Sequence, residues 1–93
     1  MSSANPDQPD PQLLAIGMQI RQLREERGYS LEQLAERSGL SFRGLIYIEH
    51  GRRNAGVLTL MRIASGLDVQ PGKLFDRLSN PHTSAEAESA PPR

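Results

Sequence analysis

Between Ser30 and Gly51 the chain reads SLEQLAERSGLSFRGLIYIEHG. Two short runs with helical spacing are each closed by a glycine, Gly39 and Gly51, and only Leu40 and Ser41 separate them. Ser30 with Gln33 three residues on is a capping-box signature for the first run, where Leu31, Leu34 and Ala35 share a face. Ser41 offers a hydroxyl to cap the second. If the second run is a helix, Leu40, Leu45 and Ile48 turn inward, while Phe42, Arg43, Ile46, Tyr47 and His50 project from the other side. A basic loop, GRRN, follows at once. This juxtaposition constrains the chain most: one short helix anchored on one side and carrying aromatic, apolar and cationic groups on the other.

The flanking sequence supplies the rest of a helical bundle. Asp10 can cap and Pro11 can occupy the first turn of an opening helix, in which Leu13, Ile16, Ile20 and Leu23 recur at three- and four-residue spacing until Gly28. After the loop GRRNAG, residues 57–66 place Leu60, Ile63, Ala64 and Leu67 on one stripe, and Pro71 starts a last helix with Leu74, Phe75 and Leu78. The expectation is an all-α domain of five helices over residues 10–78. Residues 1–9 and 79–93 are rich in Pro, Ser, Asn, Asp and Ala, lack large apolar side chains beyond Met1, and read as disordered tails.

Composition excludes several classes. With 93 residues the chain has room for one small domain, too little for a deep substrate cavity. The absence of cysteine removes disulfides, thiolate nucleophiles and cysteine-based zinc sites. No stretch approaches the roughly 20 apolar residues needed to span a bilayer, and the polar N-terminus is unlike a signal peptide; the expected location is cytoplasmic, in association with the nucleoid. His50 and His82 have no second ligand at metal spacing, and no nucleophile elbow, glycine-rich phosphate loop or paired carboxylate motif is present, so neither a metal, a cofactor, a small-molecule ligand nor an enzyme activity is expected.

Charge decides less by its total than by its placement. The net charge is zero, from 11 Lys/Arg and 11 Asp/Glu. Setting aside Asp7, Asp10, Glu86, Glu88 and Arg93 leaves 10 basic against 7 acidic residues, a balance of about +3, with Arg43, Arg52 and Arg53 concentrated around one region. Two eight-residue helices joined by a tight turn have the layout of a helix-turn-helix, whose second helix presents its outer face to the major groove of DNA.

The segment IRQLREERGYSLEQLAERSGLSFRGLIYIEHGRRNAGVLTLMRIASGLDVQPGKLF closely resembles the lambda-repressor-like, Cro/XRE-type helix-turn-helix domain of bacterial and phage transcription regulators. LREERG, LAERSGLS, IEHGRRN and RIASGLDVQPGKLF match in order and at family spacing, and the length and GRRN loop look most like the small controller proteins of restriction-modification systems. The resemblance implies base contacts from Ser41, Phe42, Arg43 and Tyr47, phosphate contacts at or near Ser30, Arg52, Arg53 and Asn54, and a buried ion pair between Arg24 and Glu49. It also implies double-stranded DNA as partner and a homodimer; Leu14 and Met18, an apolar pair off the main stripe of the first helix, or Leu78 at the end of the last, are alternative seams. Two departures stand out: Leu31 replaces a Gln common near the DNA backbone, and Phe42, Gly44 and Ile46 replace polar residues of the recognition helix. Those apolar side chains can meet thymine methyl groups, and Arg43 suits guanine. They also fit a different class of function, a protein-interaction module of the antitoxin or adaptor kind that uses the same apolar face.

Overall fold

The computed structural model describes residues 10–78. Four α-helices follow one another: α1 over Pro11–Glu26, α2 over Leu31–Ser38, α3 over Phe42–Glu49 and α4 over Val57–Leu67. A 3-10 helix over Pro71–Phe75 completes the described region, which contains no strand. The all-α class and the four main helices are as expected. Both tails expected to be disordered lie outside the described residues.

Local chemistry sets the boundaries. The Asp10 carboxylate accepts from the amides of Gln12 (2.8 Å) and Leu13 (3.3 Å), and Pro11 fills the position where an N–H has no helical partner. The Ser30–Gln33 capping box is present in both directions: Ser30 Oγ accepts from the Gln33 amide at 3.1 Å, and Gln33 Oε1 accepts from the Ser30 amide at 2.8 Å. Gly39 then takes φ +68°, a left-handed conformation that costs a side-chain-bearing residue roughly 1 kcal/mol, and α2 stops there.

The fifth helix is a correction. A last α-helix with Leu74, Phe75 and Leu78 on one face was expected, but the segment closes i to i+3 bonds, Lys73 N to Gln70 O (2.9 Å) and Asp76 N to Lys73 O (3.3 Å), over only five residues. Pro71 and Gly72 at its start explain this: one lacks an N–H and the other carries the largest backbone entropy cost, so too few good residues remain to nucleate a full α-turn. Leu74 is completely buried as a plug, whereas Phe75 stays 39% exposed.

The core comprises Ile20 and Leu23 of α1, Leu34 and Ala35 of α2, Leu45 and Ile48 of α3, Ile63, Ala64 and Leu67 of α4, and Leu74. Each fully buried aliphatic side chain contributes about 1.5 to 3 kcal/mol relative to exposure, so every element is held by at least one such contact. α1 and α3 approach closely at Gly17, where any Cβ would overlap the carbonyl oxygens of Ile48 and Glu49. α2 and α4 are tied where Arg37 Nε donates to the Gly66 carbonyl at 2.7 Å, with the Arg37 guanidinium also 4.6 Å from the Tyr29 ring centroid. These contacts fix α3 from behind and leave its other side facing outward.

Candidate nucleic-acid interface

α3 is placed by three attachments. Its inner side chains Leu45 and Ile48 are 0% and 4% exposed. At its start, Ser41 Oγ accepts from the Gly44 amide at 3.0 Å. At its end, Glu49 receives the Arg24 guanidinium in two parallel bonds, Nε to Oε2 at 2.7 Å and Nη2 to Oε1 at 3.1 Å, while Arg24 Nη1 donates to the Tyr29 carbonyl at 2.9 Å. The bond to Glu49 holds the Arg24 guanidinium above its ordinary pKa despite burial, so Arg24 keeps its charge at physiological pH. The ion pair expected between Arg24 and Glu49 is therefore formed, and it joins α1 to the end of α3.

The outer side remains open. Phe42 is 43% and Tyr47 38% exposed, Arg43 and His50 are exposed, and Ile46 is half-buried. Ser41, Phe42, Arg43 and Tyr47 thus share one short helix with its capping residue, none of the four enclosed by the chain's own fold. Both capping hydroxyls, Ser30 and Ser41, use a lone pair to accept from backbone and retain an O–H to donate elsewhere. Ser30 lies at the start of α2, away from the row on α3.

Beyond α3 the chain turns through Gly51, and the Arg52 amide donates back to the Tyr47 carbonyl at 2.9 Å, which fixes the path of the basic loop. Arg52, Arg53 and Asn54 are all exposed. The Arg53 guanidinium does not extend away from the domain. It lies over the Tyr47 ring, 5.3 Å from the centroid, and beside Gly44. Arg53, Asn54, Ser41 and Gly44 line a cleft of about 180 Å³ between α3 and the start of α4. In the sequence Arg53 is a loop residue, and Gly44 stands where a polar reader is common. The missed signal was a glycine inside an eight-residue helix, a costly choice that points to a close approach.

A further apolar surface lies on α4, where Val57, Leu58 and Met61 are 73%, 72% and 48% exposed. Of the residues expected at a dimer seam, Met18 is 45% exposed, while Leu14 is half-buried with its backbone against Gly51. Leu78 is half-buried at the end of the described region. Among the described residues no group of three or more His, Cys, Asp or Glu could hold a metal ion, and no helix is long and apolar enough to cross a membrane. His82 lies outside them.

The sequence and fold are similar to those of known proteins. The chain is 39% identical over 62 residues to the HTH-type transcriptional regulator SinR of Bacillus subtilis, covering 66% of this chain and 56% of SinR. It is 43% identical over 58 residues to an uncharacterized HTH-type transcriptional regulator of Mycobacterium tuberculosis, covering 62% of this chain but 23% of that protein, so it spans about a quarter of that relative's length. Among solved structures, the restriction-modification controller protein C.AhdI from Aeromonas hydrophila superposes with a TM-score of 0.67 at 36% identity, covering 68% of this chain and 96% of that one. SinR, the master regulator for biofilm formation, solved in complex with DNA, superposes with a TM-score of 0.62 at 39% identity, covering 66% and 98%. The Helix-turn-helix family model matches residues 20–74, from the middle of α1 to the Leu74 plug. The chain belongs to the helix-turn-helix family of the Cro/XRE type.

Proposed function

We propose that the chain is a sequence-specific double-stranded DNA-binding transcriptional regulator, with α3 in the major groove. The observation that carries this reading is the two-sidedness of α3: Leu45, Ile48 and Glu49 are buried and bonded, while Arg43, Tyr47 and Phe42 stand exposed in a row. The likeness to SinR, a protein solved in complex with DNA, supports DNA as the partner. Arg43 donates through its fork to O6 and N7 of a guanine, and Phe42 and Tyr47 meet thymine methyl groups beside it. Ser41 contributes its free O–H to a base edge. Ser30, Arg52 and Asn54 hold phosphates, which fixes register without reading sequence.

A single recognition helix covers a short half-site, and two such helices about 34 Å apart read successive turns. The protein accordingly acts as a homodimer. The α4 surface of Val57, Leu58 and Met61, next in the chain after the basic loop, supports a two-fold seam there, because a seam beside α3 keeps the two recognition helices close enough for adjacent turns. The role is regulatory rather than enzymatic, and the site of action is the nucleoid.

Equilibrium binding to a random-sequence duplex across salt concentrations tests the DNA assignment. Each phosphate neutralised steepens the log-log slope by about 0.9. Wild-type protein gives a steep slope, and Arg52→Ala flattens it by about 0.9 while weakening all sequences alike. Duplex binding that is absent, or insensitive to salt, would overturn the reading in favour of a protein partner on the Phe42 and Ile46 face.

A further inference from the structure

We infer that Arg53 is a specificity-determining residue, a second base reader built as one unit with Tyr47, rather than a phosphate clamp. This inference rests on the DNA-binding reading of α3 and refines how that helix discriminates.

Arg53 belongs to the loop, four residues after α3 ends at Glu49, yet its guanidinium lies on the helix. Its central carbon is 5.3 Å from the Tyr47 ring centroid, and its Nη1 is 3.1 Å from the point a Cβ on Gly44 would occupy. Positions 44 and 47 are neighbours one turn apart on the same helix. A residue whose task is to follow the sugar-phosphate backbone has no need of this seat. Charge at the edge of the groove is enough for that task.

Gly44 is what makes the seat. A glycine within a helix is less favourable than alanine by roughly 1 kcal/mol, and here it is one of only eight residues. Any side chain would press on Arg53 and on Ser41 Oγ, 2.9 Å from the same point. The shelf left by the missing side chain lets the guanidinium lie against α3. Arg43 and Tyr47 are four residues apart and therefore on one line of the helix, so Arg53 over Tyr47 widens that line into a surface of three readers.

The chemistry of the stack suits recognition of a base. A guanidinium seated over an aromatic ring keeps N–H donors for a partner, and the ring restricts the long side chain before binding. Less entropy is then lost when the fork meets a partner. The partner that matches two parallel donors in the major groove is guanine, through O6 and N7. Tyr47, held by the same stack, meets the neighbouring pair, where a thymine offers its methyl group. Each half-site then specifies a second guanine in addition to that beneath Arg43.

The test compares wild-type chain with Arg53→Ala, Arg53→Lys and Gly44→Ala on a duplex obtained by binding-site selection and on a random-sequence duplex of equal length. A lost base-reading pair corresponds to about a 5- to 150-fold change in affinity. Arg53→Ala is expected to lose that much on the selected duplex and far less on the random one, and repeated selection with this variant specifies one base pair fewer. Arg53→Lys restores the charge but not the two-donor fork, so random-duplex affinity returns without the lost preference. Gly44→Ala crowds Arg53 Nη1 and Ser41 Oγ and shifts selectivity in the same direction as Arg53→Ala. Equal losses on both duplexes, with every base preference unchanged and full recovery by Arg53→Lys, would overturn the inference while leaving DNA binding intact. Wild-type protein that binds neither duplex removes the DNA-binding reading itself.

Discussion

At the scale of single residues, two contacts behind α3 decide whether the recognition surface exists. Arg24 and Glu49 are both buried, and removing one partner leaves a charge in the interior without compensation, which costs about 3 to 5 kcal/mol. Arg24→Ala is expected to lower the urea unfolding free energy by that amount, whereas a double replacement by apolar residues of similar volume is less harmful than either single change. Gly17→Ala goes against helix propensity. Alanine gains up to about 1 kcal/mol in a helix, yet its methyl would collide with the Ile48 and Glu49 carbonyls, whose backbone cannot give way cheaply. Net destabilisation of about 1 to 3 kcal/mol, read as a lower urea midpoint, is the expected outcome. The Arg24–Glu49 pair was legible only through the likeness to a family, because no local pattern joins residues 25 positions apart. Gly17 was not legible at all, since its constraint comes from the distance between two helices. The Arg53 seat was half legible: Gly44 marked a gap, but nothing in the loop said which side chain would fill it.

At the scale of elements, periodicity and capping residues were sufficient for α1 to α4 because each start and stop has its own local chemistry. The capping box at Ser30, the Ser41 hydroxyl and the Gly39 turn act within four residues, so a one-dimensional reading captures them. The segment from Pro71 failed the same reading: its apolar spacing suits an α-helix, but Pro71 and Gly72 leave too few residues to propagate one, and burial of Leu74 sustains a shorter 3-10 turn instead. α4 begins without a side-chain cap, since Gly56 stands at its N-cap with φ −70° and open space around its Cβ position. Gly56→Ser therefore removes freedom from the unfolded chain and adds a capping oxygen. A gain of about 0.5 to 1 kcal/mol in unfolding free energy is expected, seen as a higher Tm. A lower Tm would show that the start of α4 is held by something other than its own backbone.

At the scale of the whole molecule, the fold sets one helix between a core that holds it and a surface it presents, and the exposed α4 patch is the seam proposed for doubling that surface. Leu58 is 72% exposed, so Leu58→Glu is expected to shift sedimentation from dimer to monomer and weaken operator binding, while its unfolding midpoint matches that of the wild-type chain at concentrations where both are monomeric. A dimer unaffected by that change would place the seam elsewhere. The measurement that reaches the central claim most directly is binding-site selection from random duplexes by the wild-type chain and by Arg43→Ala. The account predicts a two-fold symmetric motif, half-sites about one helical turn apart, and loss of a guanine preference in each half with the variant. Recovery of no common motif, or of one that is the same with and without Arg43, would contradict it.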